Sequence, residues 1–305
     1  VAAAVGAGVG WFDTAPFYGH GIAEHRFGHG LRNLPRDSFA LSTKVGRLLR
    51  PCRPDAVGPS PFQGALQFRV EHDYTYDATM RSIEDSYQRL GMSRIDIVLI
   101  HDVDVMHQAS AYDARFEEAV NGACRALSEL RSAGVIGAYG LGVNEVGPCA
   151  RFGEAVDLDC VMLARSYTLL GTEGVPDLLS LAAEKGFSVL VAGPFASGIL
   201  AGDDGTFNYA APDDAVRTRV ARLREVCNGH GVSLKAAALQ FPLASPQVAA
   251  VATGAVTAAQ VEENAALVAE PIPGALWQDL AAAGLIDAAL APGGTAAAAP
   301  SGSGA

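Results

Sequence analysis

Short apolar runs alternate with helical patterns along most of the chain, and this alternation constrains the fold more than any other feature. Seven such runs are predicted to be strands, at residues 10–14, 39–44, 95–101, 138–143, 160–164, 188–192 and 248–253. The run at 95–100 is nearly all hydrophobic, as is typical of a strand buried on both faces. Repeated strand–helix units predict a parallel sheet covered by helices.

Helical patterns lie between these runs and after them, at residues 22–31, 77–90, 116–132, 146–156, 176–185, 213–228, 234–243, 258–268 and 274–285. Two architectures contain such units, the open doubly wound sheet and the closed (β/α)8 barrel. Seven strands are one short of a closed barrel. Residues 1–7 have the pattern of the end of a helix, so a barrel would need its remaining strand before residue 1.

The chain of 305 residues fits a single α/β barrel domain, which we place at residues 1–286. Residues 287–305 are predicted to be a disordered tail, because the sequence from Pro292 onward has low complexity in Ala, Gly, Ser and Pro. The segment Arg47 to Asp73 is rich in Pro and Gly and is predicted to be a long irregular loop. Loops of that length in compact domains commonly form walls of active sites.

Composition excludes several classes of protein. Half of the residues are hydrophobic and 18% are charged, which excludes global disorder, and no apolar run approaches the ~20 residues of a membrane span. The net charge of -11 argues against a nucleic acid partner. The five cysteines are odd in number and contain no C-x-x-C pair, which argues against a disulfide scaffold or a zinc site. Without a basic segment at its apolar start, the chain is expected to have no signal peptide and to be cytoplasmic.

Polar side chains end three consecutive predicted strands. Asp13 ends the first, Lys44 the second and His101 the third, and Tyr18 follows Asp13 in the next loop. In an α/β barrel, the carboxyl ends of the strands converge on one face, where the active site lies. An acid, a lysine, a histidine and a tyrosine at one place form a coherent set for proton transfer.

Lys44 is informative because only three lysines occur among the 22 basic residues. A lysine buried at a strand end needs a counter-ion, which Asp13 on the neighbouring strand would supply. A tyrosine beside that cation would have its pKa lowered from about 10, bringing proton transfer closer to neutrality. A neutral His101 would then orient a substrate oxygen. The alternative is that these residues have unconnected structural roles, but their placement on three consecutive strand ends favours a common one.

The sequence contains residue types of two other kinds of site. His101, Asp102, Asp104 and His107 contain metal-ligand types, but no H-x-H pair ends an early strand, so no metal site is predicted. The glycines at 6, 8 and 10 and at 19 and 21 do not match the G-x-G-x-x-G pattern between a strand and a helix, so a Rossmann dinucleotide site is not favoured either.

The chain resembles the aldo-keto reductase family. The stretches that carry the resemblance are FDTAPFYG at 12–19, STKVG at 42–46, SIEDSYQRLG at 82–91, IDIVLIHD at 95–102 and QVEEN at 260–264. The resemblance implies a (β/α)8 TIM barrel, here N-terminally truncated to seven strands, and a nicotinamide cofactor. It also implies that the catalytic tetrad is Asp13, Tyr18, Lys44 and His101.

Further stretches resemble a narrower branch that contains D-threo-aldose (L-fucose) 1-dehydrogenases and pyridoxal 4-dehydrogenases. They are DYTYD at 73–77, the segment 163–170, and GPFASGIL at 193–200. This resemblance implies oxidation of an aldose of the L-fucose or D-arabinose type at C1 to a lactone, with Tyr18 as the general base. The alternatives are the oxidation of pyridoxal and a non-catalytic binding or regulatory protein of the same fold.

The same resemblance implies the residues that bind the cofactor. Asn144 would hold the carboxamide of the nicotinamide. The pyrophosphate would lie along Phe195, Ser197 and Gly198, and the adenosine would lie against Gly254, Gln260 and Asn264. Members that prefer NADP carry a cation in the loop after the last strand. Here residues 254–260 contain none and two glutamates follow, so NAD is expected over NADP. The chain also departs from the branch at Arg165 and Ser166, where the branch usually has Gly and Arg, and at Ala196, where it usually has Asn. Neither an oligomeric state nor a protein partner is predicted.

Overall fold

The computed structural model describes residues 1–58, 60–202 and 205–293. Within these ranges the strands, in chain order, are β1 (Trp11–Asp13), β2 (Ala40–Val45), β3 (Arg47–Pro51), β4 (Phe68–His72), β5 (Ile95–His101), β6 (Ile136–Val143), β7 (Cys160–Ala164), β8 (Ser188–Ala192) and β9 (Val248–Ala252). Seven of them form one parallel sheet in the order β1-β2-β5-β6-β7-β8-β9. The seven predicted strands are confirmed, with ends that differ by at most two residues.

The helices, in chain order, are α1 (Ala2–Gly6), α2 (Ile22–Leu31), α3 (Tyr76–Leu90), α4 (Val105–Gln108), α5 (Tyr112–Ala119), α6 (Arg125–Ser132), α7 (Val146–Ala155), α8 (Val175–Lys185), α9 (Asp214–Gly229), α10 (Leu234–Gln240), α11 (Ala258–Val268) and α12 (Gly274–Ala282). The predicted helix at 116–132 begins earlier, at Tyr112, and changes to a π-helical turn at Val120–Cys124 between α5 and α6. The other predicted helices are present.

The architecture is a (β/α)8 barrel with seven strands, as predicted, and β1 and β9 form the two edges of the sheet within the described residues. The larger apolar cluster lies between the sheet and its helices. A smaller one contains Leu99, Cys160, Met162 and Leu190, with Trp11 packed against it, and fills the inside of the curved sheet. Side chains alternate between these two environments, because successive residues of a strand point to opposite faces.

The predicted loop from Arg47 to Asp73 is instead built around an antiparallel hairpin, so that interpretation was wrong. β3 pairs with β4 from Arg47↔His72 to Pro51↔Phe68. The two strands are separated by residues 52–67, a connection much longer than the two to five residues by which hairpins are recognised in sequences. The segment does form a wall of the site described below, because Arg47, Pro61 and Phe62 line its cavity.

At the other end of the chain, Ala288–Leu290 forms a 3-10 turn and Leu290 packs into the main core. The rest of the predicted tail, from residue 294 onward, lies outside the described residues. None of the helices in the described part of the chain combines the length and the apolar character that crossing a membrane requires.

Gly140 on β6 is the position at which a single added methyl group should cost the sheet most. A Cβ placed there would lie 1.8 Å from the backbone oxygen of Cys160 on the neighbouring strand. Since backbone in the middle of a sheet cannot move aside, we expect Gly140→Ala to lower the free energy of unfolding by about 3 kcal/mol, at the upper end of overpacking effects. Differential scanning calorimetry should show a melting temperature lower by roughly 5 °C.

Gly147→Ala is the matched control, because nothing lies within 4 Å of its added Cβ. It is in helix α7, where alanine is favoured over glycine. Equal melting temperatures for the two variants would contradict the proposed close approach of β6 and β7.

Candidate active site

Three predicted side chains stand at the carboxyl ends of three neighbouring strands. Asp13 pairs in register with Ser42, Lys44 with Leu99, and His101 with Gly142, so β1, β2 and β5 each deliver one of them to the same end of the sheet. Together with Tyr18 they line a cavity of about 660 Å³. The structure therefore brings together all four residues that the strand ends and the resemblance selected.

Asp13 and Lys44 form a buried ion pair. The Lys44 Nζ lies 2.5 Å from Asp13 Oδ2 and donates a second hydrogen bond to the Thr14 carbonyl at 3.0 Å. Ser42 donates from its hydroxyl to the other Asp13 oxygen at 2.6 Å, which fixes the carboxylate. Burial opposes the charge of Lys44, but Asp13 and Tyr18 outweigh it and raise the lysine pKa. Lys44 is therefore a permanent cation.

Tyr18 begins the 3-10 turn Tyr18–Gly21 that follows β1. Its ring centroid is 4.8 Å from Lys44 Nζ, and the ring meets that of His101 edge to face at 5.7 Å. Burial raises the pKa of Tyr18 above its ordinary value, and Lys44 opposes the rise. The expectation that Lys44 would bring the pKa below 10 was wrong, because removing the phenolate from water outweighs the attraction of the cation.

His101 is a neutral imidazole. Burial is the main cause that lowers its pKa well below 6.5, and the positive charges of Lys44 and Arg47 lower it further. Its Nδ1 is buried and has no hydrogen-bond partner among the described residues. Its Nε2 lies 3.3 Å from Asp102 Oδ2. A neutral imidazole with free hydrogen-bonding capacity is suited to orient a polar ligand.

Tyr74 holds the strand end that carries His101, and sequence reasoning did not select it for this role. Its hydroxyl donates to the His101 carbonyl at 2.8 Å and accepts from Gln108 Nε2 at 3.0 Å. Its own carbonyl accepts from the Ala123 N–H at 2.9 Å. Ala123 lies in the π-helical turn, and a turn of that kind releases a backbone donor from the helical ladder. The π-helical turn thus holds Tyr74 in place, and Tyr74 holds the strand end that carries His101.

Two further carboxylates surround Asn144, which comes directly after β6. Asp102 pairs with Arg47 at 2.7 Å. Asp104 accepts from the backbone N–H of Asn144 at 3.0 Å and from its side-chain amide at 3.2 Å. Although burial favours the neutral acid, hydrogen bonds from His107 and Asn144 together lower the pKa of Asp104 to about 2. The amide side chain of Asn144 is therefore held by a permanent anion.

Asp102, Asp104 and His107 offer ligand atoms that lie within 4.8 Å of one another. The oxygens of the two carboxylates are already engaged by Arg47, Asn144 and His107. The side chains considered as metal ligands in the sequence thus form hydrogen bonds and ion pairs with one another, and the expectation that no metal is bound stays a prediction.

Aromatic side chains form one wall of the cavity. Phe17 and Phe62 meet edge to face at 5.1 Å, and Tyr18 lies 5.9 Å from Phe62. The Arg47 guanidinium lies 4.0 Å above the Phe17 ring. The cavity can therefore hold a ligand with an apolar face against this wall and polar groups toward His101.

The other predicted cofactor residues follow the last two strands, β8 and β9. Phe195, Ser197 and Gly198 lie in the loop after β8, where Ser197 has a φ of 61° and Gly198 a φ of 104°. Gly254 follows β9, and Asn264 lies buried in α11. The Ser197 hydroxyl and Asn264 Oδ1 are buried and without hydrogen-bond partners among the described residues. Such unpaired atoms at a loop rim fit a ligand that supplies their partners.

Gln260 has a structural task of its own. Its Oε1 accepts hydrogen bonds from the backbone of Val256 at 2.7 Å and Thr257 at 3.3 Å, closing a capping box at the start of α11. Its side chain is thus engaged with the protein in this structure.

The aldo/keto reductase family model matches residues 1–284. A pyridoxal 4-dehydrogenase from Microbacterium luteolum is 38% identical over 92% of this chain and 85% of its own length. A D-threo-aldose 1-dehydrogenase from Pseudomonas sp. is also 38% identical, over 93% of this chain and 86% of its own. Among solved structures, the holo form of an aldo-keto reductase from Bacillus halodurans superimposes with a TM-score of 0.71 at 25% identity, covering 92% of this chain and 84% of that one.

Proposed function

The chain belongs to the aldo/keto reductase family and is an NAD(P)-dependent oxidoreductase, and we propose that it oxidises an aldose of the L-fucose or D-arabinose type at C1 to the lactone. The observation that carries the proposal is the Lys44 cation, which is paired to Asp13 at 2.5 Å and lies 4.8 Å from the Tyr18 ring in a cavity that His101 also lines. This is an arrangement for moving a proton from a buried hydroxyl.

Each of these side chains has a separate task in the proposed reaction. Tyr18, as the phenolate, takes the proton from the hydroxyl at C1. Lys44 stabilises the phenolate, and Asp13 holds Lys44 in place. The neutral His101 hydrogen-bonds the same substrate oxygen and sets its direction. Bound NAD(P) supplies the acceptor for the hydride that leaves C1, so the hemiacetal loses one proton and one hydride and becomes a lactone.

We propose that NAD is used in preference to NADP, and that Asn144, Phe195, Ser197, Gly198, Gly254, Gln260 and Asn264 contact it. A 2′-phosphate is a dianion that needs cationic partners, and residues 254–260 provide none. On the adjacent helix α10, Lys235 Nζ lies 2.5 Å from Glu263 Oε2 and is neutralised by it. The unpaired Ser197 and Asn264 atoms support polar contacts made by neutral side chains along this rim.

Pyridoxal is the second candidate substrate, and the aromatic wall of the cavity favours it. Phe17, Tyr18 and Phe62 lie within 5.1–6.5 Å of one another. Aromatic rings stack on or meet each other edge to face at these separations, and a pyridine ring is a ligand of that kind. Pyridoxal also closes to a ring hemiacetal, so the same proton transfer by Tyr18 would apply.

The test is the formation of NADH at 340 nm with L-fucose, D-arabinose and pyridoxal, each offered with NAD and with NADP. We expect the highest kcat/KM with an aldose and NAD. A higher kcat/KM with pyridoxal would select the second candidate, and turnover only with NADP would contradict the cofactor proposal. Binding of NAD without turnover of any of these compounds would favour a non-catalytic binding or regulatory role.

We further propose that residues 1–286 act as one domain on a small molecule, without a nucleic acid partner, in the reducing cytoplasm. The acidic net charge of -11 supports the proposal that no nucleic acid is bound. All five cysteines are free thiols in this structure, and four of them are buried, which supports a reducing compartment.

A further inference from the structure

The catalytic cavity contains one more permanent cation than it has carboxylates to pair with. Asp13 and Asp102 line it, and each is matched by a partner, Lys44 at 2.5 Å and Arg47 at 2.7 Å. His101 is neutral because its pKa is low. Arg165 lines the same cavity, and neither of these two carboxylates pairs with it. In a chain of net charge -11, an unmatched cation beside the reacting atoms needs an explanation.

Arg165 contacts only neutral groups. Its Nε donates to Asn144 Oδ1 at 3.1 Å, its Nη1 donates to Asn208 Oδ1 at 3.5 Å, and its Nη2 donates to the Met106 Sδ at 3.0 Å. Its guanidinium lies 5.6 Å from the centroid of the Tyr209 ring. Within residues 1–58, 60–202 and 205–293, no carboxylate lies at ion-pair distance from it. The backbone of Arg165 has a φ of 65°, a conformation that favours glycine.

Arg47 adds an unused donor to the same cavity. Its side chain is 7% exposed, and while one end pairs with Asp102, its Nε has no hydrogen-bond partner among the described residues. Buried N–H groups are nearly always paired in folded proteins. The cavity thus offers donors and positive charge, and its carboxylates are already taken. A ligand group that pairs with Arg165 would therefore bring acceptors and a negative charge.

A second cavity meets the first at Arg165 and helps to locate that negative charge. It is lined by Glu145, Glu154, Glu173 and Asp177, besides Arg165 itself. These carboxylates would repel an anion from the outer side of Arg165. The charge of that second cavity therefore disfavours an anion there, and the catalytic cavity is the better place for an anion at Arg165.

From these contacts we infer that the substrate oxidised at this site carries an anionic group, a carboxylate or a phosphate, which is bound by the Arg165 guanidinium. The inference rests on the proposed oxidation of a ring hemiacetal and narrows its substrate class to acidic sugars. Arginine presents two parallel N–H donors that match either anion. In this arrangement the anion lies at Arg165 while the C1 hydroxyl lies between Tyr18 and His101.

A matched set of sugars tests the inference by isothermal titration calorimetry with NAD present. L-Fucose carries a methyl group where L-galacturonate carries a carboxylate, and L-galactose 6-phosphate carries a phosphate on the same carbon. We expect at least one of the two acidic sugars to bind about tenfold or more tightly than L-fucose. Which of them does so distinguishes the carboxylate from the phosphate.

The variants separate a pocket contact from a general effect of charge. Arg165→Gln should reduce the ratio of affinities between the acidic sugar and L-fucose to near one and leave the affinity for NAD within about twofold. Arg81→Gln removes the same charge from an exposed position on α3 and should keep the ratio. No preference in the unmodified protein, a preference that persists in Arg165→Gln, or a loss confined to NAD binding would each overturn the inference.

Turnover measured on the same samples distinguishes a failure of this inference from a failure of the proposed function. Oxidation of L-fucose at equal efficiency to the acidic sugars would leave the proposed function standing and would overturn the inference. An Arg165-dependent preference for the acidic sugar in calorimetry, without NADH formation from any sugar, would support Arg165 as an anion site and contradict aldose oxidation.

Discussion

Replacing Tyr18 with phenylalanine is expected to lower kcat for sugar oxidation by about 10²–10⁴-fold, the range that a positioned acid–base group contributes. The variant loses only the phenolic oxygen, which as the phenolate accepts the substrate proton. The ring remains to pack against Phe62 and to meet His101 edge to face. The fold and the affinity for NAD should therefore be kept. The measurement is NADH formation in the steady state, together with NAD binding by calorimetry.

Tyr76→Phe is the matched control, because it also removes a phenolic hydroxyl. That hydroxyl is exposed and donates to Glu129 at 2.7 Å. It should leave kcat unchanged. A Tyr18→Phe variant that keeps more than about a tenth of the activity would contradict the assignment of Tyr18 as the base.

The pH profile gives an independent check on the same residue. Oxidation needs the phenolate, and burial raises the pKa of Tyr18 above 10. The rate of the oxidation step should therefore rise with pH through the neutral and mildly alkaline range and should not level off below about pH 10. This profile would be flattened in Tyr18→Phe. A plateau near neutrality in the unmodified protein would show that Lys44 outweighs burial after all.

Replacing Lys44 with methionine is expected to have the second large effect, because it affects both stability and catalysis. The pair is buried, with the Lys44 side chain 2% and the Asp13 side chain 12% exposed. Removing one member leaves Asp13 as an uncompensated charge, which costs about 3–5 kcal/mol. The phenolate of Tyr18 loses its stabilising cation at the same time, so kcat should fall by at least about 10²-fold. Chemical denaturation and steady-state kinetics measure the two effects.

The double variant Asp13→Asn/Lys44→Met separates the two effects. It removes both charges, so most of the lost stability should return. Activity should not return, because the cation beside Tyr18 is still absent. Recovery of activity together with stability would mean that Lys44 acts only through the fold and has no part in proton transfer.

The sequence contained enough information for the barrel architecture and for the core of the site. Strand positions follow from local apolar runs, and each predicted run became a strand of the parallel sheet. The convergence of Asp13, Lys44 and His101 follows from topology alone, since parallel strands end on one side. The meeting of these residues in one cavity could thus be predicted without any knowledge of their contacts, and their catalytic roles stay a prediction.

The supports of the site could not be predicted in the same way. Tyr74 acts on His101 through a backbone carbonyl that lies 27 positions along the chain. Its partner Ala123 is available because the helix changes locally to a π-helical turn. The hairpin that brings Arg47 and Phe62 to the cavity has no short turn to mark it. None of these arrangements leaves a periodic signal in the sequence.

The order of residues by itself determined the alternation of strands and helices, the strand ends that carry the acid, the lysine and the histidine, and the family. Only the tertiary structure decided that burial raises the pKa of Tyr18, that Arg47 is paired with Asp102 while Arg165 is not paired with any described carboxylate, and that Tyr74 fixes His101. The reason is physical. Periodicity depends on neighbours along the chain, whereas solvation and the balance of charge depend on groups that meet only after the chain has folded.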